Sequence, residues 1–264
     1  MKSPHVRRSA VVTGGSRGIG RAIAVELVAR GYAVVVTDLD GDAVRRTAEE
    51  VGAVAGLAQD VREPQGHRDA AAEALRHGPL AVWVNNAGVG HDGALTELAE
   101  EKVRGLVETN LLGPMWGCRA ALDAFGPDGG DVVNIASLSG HGPVPGLSAY
   151  AATKAAVVSL SLSLSAEVPK GVHVHAVCPD GVATAMVEAM KADGRAKELV
   201  ASGGRMLSAE EVAAAAVALI GRSRVVRTLP GWRGGMLRLA SLTPNTTKRL
   251  EPLMRRQGRK ALKG

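Results

Sequence analysis

Tyr150 and Lys154 stand four residues apart, which puts both side chains on one face of a helix. A free phenol titrates near ~10, too high for a general base at neutral pH. A neighbouring ammonium favours the phenolate and lowers that value, so the pair can pass a proton to or from an oxygen atom. Ser137, thirteen residues upstream, supplies a hydroxyl that can polarise a carbonyl or hold an alcohol while Tyr150 moves the proton. Taken alone, Tyr-x-x-x-Lys equally describes a surface helix pair, so its meaning depends on what else the chain brings to it.

The N-terminal part of the chain offers a partner. Thr13-Gly14-Gly15-Ser16-Arg17-Gly18-Ile19-Gly20 follows a short β-branched run and opens a helix-length segment. Glycines at such a junction make a tight turn and let the backbone approach a pyrophosphate, whose charge sits at the helix N-terminus. Eighteen residues beyond Gly20 comes Asp38, at the end of the next β-branched run. A carboxylate there accepts from both adenosine ribose hydroxyls and repels a 2′-phosphate, which favours NAD over NADP. Arg17 pulls the other way, since a guanidinium beside the loop can pair with a 2′-phosphate. With Asp40 and Asp42 close by, Asp38 can also be a helix cap or a solvated turn residue. A nicotinamide exchanges hydride directly with the substrate carbon, leaving orientation and proton transfer to the protein; Lys154 can also hold the cofactor ribose.

Positioning these groups requires the rest of the chain. Runs 10–13, 33–37, 54–59, 81–84, 131–135 and 172–177 read as strands, with 225–229 as a last one. Segments 19–30, 42–51, 64–77, 100–125 and 149–168 read as helices, 185–203 as one or two short helices and 208–220 as an Ala-rich helix. The strand runs are nearly continuous hydrophobics, as expected when helices cover both faces of a sheet. The alternation predicts an α/β fold: a Rossmann-like, doubly wound parallel sheet of about seven strands with helices on both faces. Ser137 then falls at the carboxyl end of a strand, where ligands bind in such sheets. Residues 1–231 read as one catalytic domain and 232–264 as an extension, expected to be helical and partly packed on it.

Composition narrows the class. At 264 residues the chain can bury ~70–75% of the surface its unfolded form exposes. Only two cysteines occur, Cys118 and Cys178, which argues against a disulfide framework or a Cys-rich metal site and fits a reducing compartment. Aromatic content of 2% leaves no stacking platform for single-stranded nucleic acid. The N-terminal segment is polar and basic rather than a signal peptide, and no stretch reaches the ~20 apolar residues that span a bilayer, so a cytoplasmic location is expected. The net charge of +6 is a local matter: residues 233–264 hold nine Lys/Arg and one Glu, so the rest is slightly acidic.

Thr13-Gly14 with Gly18-Ile19-Gly20, Asn85-Asn86-Ala87-Gly88, Asn110, Ser137 and Tyr150-Ala151-Ala152-Thr153-Lys154 together resemble the short-chain dehydrogenase/reductase (SDR) family over residues 9–230. The resemblance implies an NAD(P)-dependent oxidoreductase that interconverts a secondary alcohol and a ketone. It implies that Ser137, Tyr150 and Lys154 are catalytic and that Asn110 completes a proton relay by holding a water near the lysine. It also implies a cofactor site of Gly14, Ser16, Arg17, Gly18, Ile19, Gly20, Asp38, Asn86, Ala87 and Gly88, with Asp60 and Val61 at the adenine ring. Tyr150 and Lys154 join that site, as do Pro179, Val182 through its backbone at the carboxamide, and Thr184 near the carboxamide or pyrophosphate. A homodimer or homotetramer is implied as well. Two departures stand out: Pro179-Asp180-Gly181 replaces the Pro-Gly usual after the sixth strand, and the chain continues for about thirty residues beyond the last strand, which puts a tetramer of the family's kind in doubt.

Other readings compete for the remaining residues. His173 and His175 alternate on a strand and can chelate a metal, but no third ligand is evident, so a structural role and no metal are expected. Cys178 reads as a small buried residue lining the site and Cys118 as core. His91, Ser139, His141 and Met186 are substrate-pocket candidates by position, and equally loop residues facing solvent. The apolar 185–206 segment points to a hydrophobic alcohol or ketone, steroid-like or fatty. The extension mixes apolar and basic residues at helical spacing, with Pro244 and Pro252 cutting it into short pieces. A helix packed over the active-site rim or against a subunit partner is preferred there to a peripheral membrane contact. A non-catalytic nicotinamide-binding scaffold or sensor needs no proton donor, and an epimerase or dehydratase needs more pocket acids than this chain shows.

Overall fold

The computed structural model describes residues 7–190, 194–242 and 244–262, with residues 244 and 246–250 described as backbone alone. The basic residues 1–6 and the last two residues of the extension, Lys263 and Gly264, lie outside the described residues. Seven strands, β1 (Ser9–Thr13), β2 (Ala33–Asp38), β3 (Ala55–Ala58), β4 (Leu80–Asn85), β5 (Gly130–Ile135), β6 (Val172–Pro179) and β7 (Val226–Leu229), form one parallel sheet. Their order is β3-β2-β1-β4-β5-β6-β7. It reverses between β1 and β4, the switch point at which such a sheet opens a crevice.

Helices cover both faces, because alternate strand residues point to opposite sides and both sides are apolar. Val12, Val34, Val36 and Val84 face one core with Ile23 and Leu27 of α1 (Gly18–Ala29), flanked by α2 (Gly41–Val51) and by Val212 and Ala216 of α9 (Ala209–Val217). Val11, Val35, Trp83, Val132 and Val174 face the other, with Ala70 and Ala74 of α3 (Pro64–Arg76) and Ala121 of α5 (Gly113–Ala124). A register slip of one residue exchanges the two sets, so the same alternation also fixes which loops reach the crevice. The remaining helices are α4 (Glu100–Val107), α6 (Ser148–Glu167), α7 (Ala185–Glu188), α8 (Arg195–Val200), α10 (Gly231–Leu242) and α11 (Pro244–Ala261).

Two elements differ from the sequence expectation. The single helix expected over 100–125 is divided between α4 and α5 by a π-helical turn, Glu108–Leu112. That wider turn carries Asn110 inward, where its amide bonds both backbone groups of Val89. The sequence places a helix break at Pro252, yet α11 runs through it, and only Pro244 marks a boundary. Loss of one backbone bond at Pro252 is offset by the neighbouring contacts: Glu251 pairs with Arg195, and Arg255 with Glu198.

Candidate active site

The carboxyl ends of the strands border one cavity of about 1110 Å³. Part of its wall is the loop between β1 and α1. Gly14 has a φ of +63°, and a Cβ there would lie 2.7 Å from the Ala87 Cα; a Cβ on Gly20 would lie 2.2 Å from the Gly14 carbonyl oxygen. Only glycine fits either place. Asn86, across the switch point, holds the loop: its Nδ2 donates to the carbonyls of Thr13 and Gly14 at 3.0 and 2.9 Å. Thr13 Oγ1 accepts from the Asn86 and Ala87 amides, each at 3.1 Å. At the end of β2, Asp38 Oδ2 accepts from the Ser16 amide at 3.1 Å and from its hydroxyl. Its Oδ1 accepts from the Leu39 amide at 2.8 Å, so Asp38 lines the cavity and does not cap α2, whose cap is Asp40.

Asp60 is gripped by Arg62, whose Nε lies 2.9 Å from both carboxylate oxygens and holds its pKa below the ordinary value. The Val61 carbonyl lies 2.9 Å from His67 Nε2, and burial lowers the pKa of that ring.

Ser137 begins the tight turn Leu138–His141, and its Oγ accepts from the Ser139 amide at 3.2 Å and lies 2.9 Å from the Ser139 hydroxyl. A Cβ on Gly140 would meet the Lys154 carbonyl carbon at 2.9 Å, so the turn presses directly on α6. That contact sets Ser137 against Tyr150, one helical turn before Lys154. Burial pushes the Tyr150 phenol up to about 12, against a smaller lowering from its hydrogen bond with Ser137. Lys154 is 5% exposed and donates from Nζ to the Ile135 carbonyl at 2.8 Å. Burial brings its pKa down to about 8. For Tyr150 the direction is the reverse of the lowering expected from Lys154: the ammonium is turned toward Ile135, 5.8 Å from the ring centroid, and burial sets the phenol's shift.

Of the sequence candidates, Gly14, Arg17, Gly18, Ile19, Asp38, Asp60, Val61, Asn86, Ala87 and Gly88 line the cavity with Ser137, Tyr150, Lys154, Pro179, Val182 and Thr184. So do His91, Ser139 and Met186. Ser16 and Gly20 stand behind the wall, acting through Asp38 and through close packing. Asn110 is fully buried: Oδ1 accepts from the Val89 amide at 2.8 Å and Nδ2 donates to its carbonyl at 2.9 Å, so its side chain anchors the loop after β4 rather than lining the cavity. His141 borders a separate surface hollow, and burial, helped by Arg238, lowers its pKa to about 4. Cys178, expected to line the site, packs instead with Ala136, Val157 and Ala176, and burial pushes its thiol to about 12. Cys118 is core. His175 Nε2 lies 3.0 Å from Asp131 Oδ1, with His173 3.5 Å from the same oxygen. Among the described residues no group of three or more ligating side chains is placed to hold a metal ion.

Sequence reasoning missed much of the apolar wall. Met190, Leu199, Leu237 and Met254 join Met186 there, two of them from α10 and α11. It also missed Arg233, 4% exposed on α10, whose Nε lies 2.9 Å from Asp180 Oδ2 without a well-aligned hydrogen bond. Its Nη2 donates to Ser202 Oγ at 3.1 Å. Burial raises the Asp180 pKa more than Arg233 lowers it. A Cβ on Gly203 would meet both members of the pair, at 2.5 and 2.6 Å. The two departures from the family pattern therefore meet: Asp180, in the altered turn, pairs with Arg233 of the extension. Asp180 itself was the only trace of this contact in the sequence.

A family model described as short chain dehydrogenase matches residues 8–195. The chain is 35% identical over 212 residues to the mouse 3-oxoacyl-[acyl-carrier-protein] reductase, covering 79% of this chain and 89% of that protein. It is likewise 35% identical over 212 residues to the enzyme of that name from Salmonella typhimurium, covering 78% of this chain and 86% of that one. Among solved structures, a single-residue variant of the actinorhodin polyketide ketoreductase with NADPH superposes with a TM-score of 0.77 at 31% identity, covering 86% of this chain and 97% of the other. A short chain dehydrogenase/reductase from Burkholderia phymatum in complex with NAD gives a TM-score of 0.73 at 26% identity, covering 85% and 90%. This chain belongs to the short chain dehydrogenase family.

Proposed function

We propose that the protein is an NAD-dependent oxidoreductase that interconverts a hydrophobic secondary alcohol and its ketone, with Tyr150 as general acid and base. The observation that carries this reading is that Ser137, Tyr150 and Lys154 open onto the same cavity as the Gly14 loop and Asp38. A dinucleotide fits these residues. The space a Cβ at Gly14 or Gly20 would need is already taken by backbone, so the loop is kept low, with Gly18 at a φ of +54° opening α1. Asp38, held by Ser16, suits two ribose hydroxyls and disfavours a 2′-phosphate, which supports NAD; Arg17 on the same wall keeps NADP as the alternative.

A bound nicotinamide supplies the hydride acceptor or donor. The chain's own residues do the remainder. Tyr150, kept protonated at neutral pH because burial disfavours its phenolate, gives its proton to a carbonyl oxygen in the reductive direction and is reprotonated from solvent; in the oxidative direction it must first lose that proton to solvent, and the phenolate then takes the alcohol's proton. Ser137 Oγ polarises that oxygen. Lys154 holds the cofactor ribose and its ammonium favours the developing phenolate. Asn110 supports the set from behind by fixing Val89. The apolar wall of Met186, Met190, Leu199, Leu237 and Met254 excludes water and accepts an apolar substrate body.

Tyr150→Phe tests the assignment. It should lower kcat/KM by ~10³-fold or more while the NADH dissociation constant stays within a factor of ~3. Retained turnover in that variant, or loss of NADH binding with it, would defeat the proposed role.

A further inference from the structure

The C-terminal extension has two unlike faces. Its inner face is closed down on the domain: Leu237 is buried, and a Cβ on Gly258 of α11 would meet the Glu198 carbonyl oxygen of α8 at 1.7 Å. Arg255 and Arg259 both pair with the Glu198 carboxylate. The outer face is the reverse. Trp232, Met236 and Leu239 follow one another at i, i+4 and i+7 on α10 and are 64%, 42% and 69% exposed, with Leu242 beyond them at 77%. Leu253 on α11 is 64% exposed. Six of the twelve large apolar side chains exposed among the described residues lie between 232 and 262, so this exposure is concentrated rather than scattered.

The charge of the same segment says what the face fits. Residues 233–264 hold nine Lys/Arg and one acid, Glu251, which is paired with Arg195 of the domain; Arg233, Arg255 and Arg259 pair inward with Asp180 and Glu198, and Arg238, Arg256 and Lys260 are exposed. Arg238 is exposed on the flank of that stripe, one turn before Leu242, with Nη2 3.4 Å from His141 Nε2, and Arg256 and Lys260 follow Leu253 at i+3 and i+7 on the exposed side of α11. Among the described residues no helix is long and apolar enough to cross a membrane, so contact with a bilayer would be peripheral.

We propose that the outer face of α10 and α11 docks on an anionic phospholipid surface. Trp232, Met236 and Leu239 enter the boundary between headgroups and acyl chains, and Arg238, Arg256 and Lys260 meet the lipid phosphates. A second copy of the chain is the poorer occupant, because a two-fold contact through this face sets like charges against one another. The preferred sequence reading, a helix packed over the site rim, describes the inner face alone. The proposal does not rest on the assigned reaction.

The test is co-sedimentation of the full-length protein with vesicles of phosphatidylcholine, with and without one third phosphatidylglycerol, at about 0.1 M salt. Binding should be at least ~10-fold stronger to the anionic vesicles, since each cation contributes ~5-fold in partitioning. Trp232→Glu/Leu239→Glu should abolish it, and Arg238→Glu/Arg256→Glu should remove the preference for anionic lipid. All four positions are exposed, and the contacts of Arg238 with His141 and of Trp232 with Arg233 lie at the surface, so circular dichroism should be unchanged and the thermal midpoint little shifted in both variants. Equal sedimentation of the wild type and the Trp232/Leu239 variant overturns the proposal. So does absence of binding, or a fall in solution mass in that variant without vesicle binding, which assigns the face to a second copy.

Discussion

Around Gly14, Asn86 and Asp38 the cavity wall is main chain and short polar side chains, from segments that end at the adjacent strands β1, β4 and β2. Around Met190, Leu199, Leu237 and Met254 it is long apolar side chains from α8, α10, α11 and the end of the α7 segment, joined by ion pairs rather than by the sheet. The first half is built by local geometry that few sequences satisfy. The second half is built by contacts between segments some fifty residues apart, and many sequences can supply them. The wall proposed for the dinucleotide is therefore set by backbone, whereas the wall proposed for the substrate depends on how the extension is fastened.

The fastening is where the contrast breaks most easily. Arg233→Met leaves Asp180 buried without its cation and should destabilise the fold by ~3–5 kcal/mol in urea unfolding. Asp180→Ala/Arg233→Met, which removes both charges, should recover most of that loss. A double variant as unstable as the single one would show that the pair does not act as a unit.

In the other half, a buried charge is held at a cost. Lys154 has its pKa near 8 in the fold against an ordinary value of 10.5, so the unfolded chain binds more protons between those values. The Lys154 contribution to stability should therefore rise from about pH 8 to about pH 10, by at most ~3 kcal/mol, opposed above about pH 9 by Cys118 and Cys178 and above about pH 10 by Tyr150, all raised to about 12, which keep protons that the unfolded chain loses. Lys154→Met should flatten the rise in denaturant midpoints. A rise of the same size in that variant would assign it to other groups.

Smaller effects sharpen the division of labour. Asp38→Asn removes the charge that opposes a 2′-phosphate and should shift the ratio of kcat/KM for NADH over NADPH by about tenfold toward NADPH, with Arg17 left in place. Leu237→Ala should change the ketone KM by a few-fold, as expected for trimming one apolar wall residue, and leave the NADH dissociation constant unchanged. An effect of Leu237→Ala on NADH binding would mean that the two halves are not separable.

The same contrast explains what the sequence could reveal. The strand runs are apolar enough to announce a sheet covered on both faces, and β1, β2, β4, β5 and β6 fall close to the expected bounds because burial on both sides leaves little choice. The glycine loop was legible because positive φ and missing space exclude every other residue at Gly14. Tyr150, Lys154 and Ser137 were legible by spacing, but their electrostatics were not, since burial sets the direction of both shifts and burial is a tertiary property. Asp180 was visible only as an anomaly. Its partner lies 53 residues on, in a segment whose charge hid Arg233 among nine basic residues. The π turn at Asn110 and the unbroken passage of α11 through Pro252 have the same origin: side-chain contacts to distant backbone and helices override local helix rules.

Hydride transfer itself is best followed as oxidation of NADH and of NADPH, by loss of absorbance, with a panel of ketones graded from small and polar to large and apolar. Turnover of the larger apolar ketones is expected, faster with NADH than with NADPH, and lost in Tyr150→Phe. Turnover confined to small polar ketones, faster turnover with NADPH, or none with any member of the panel would contradict the proposed reaction.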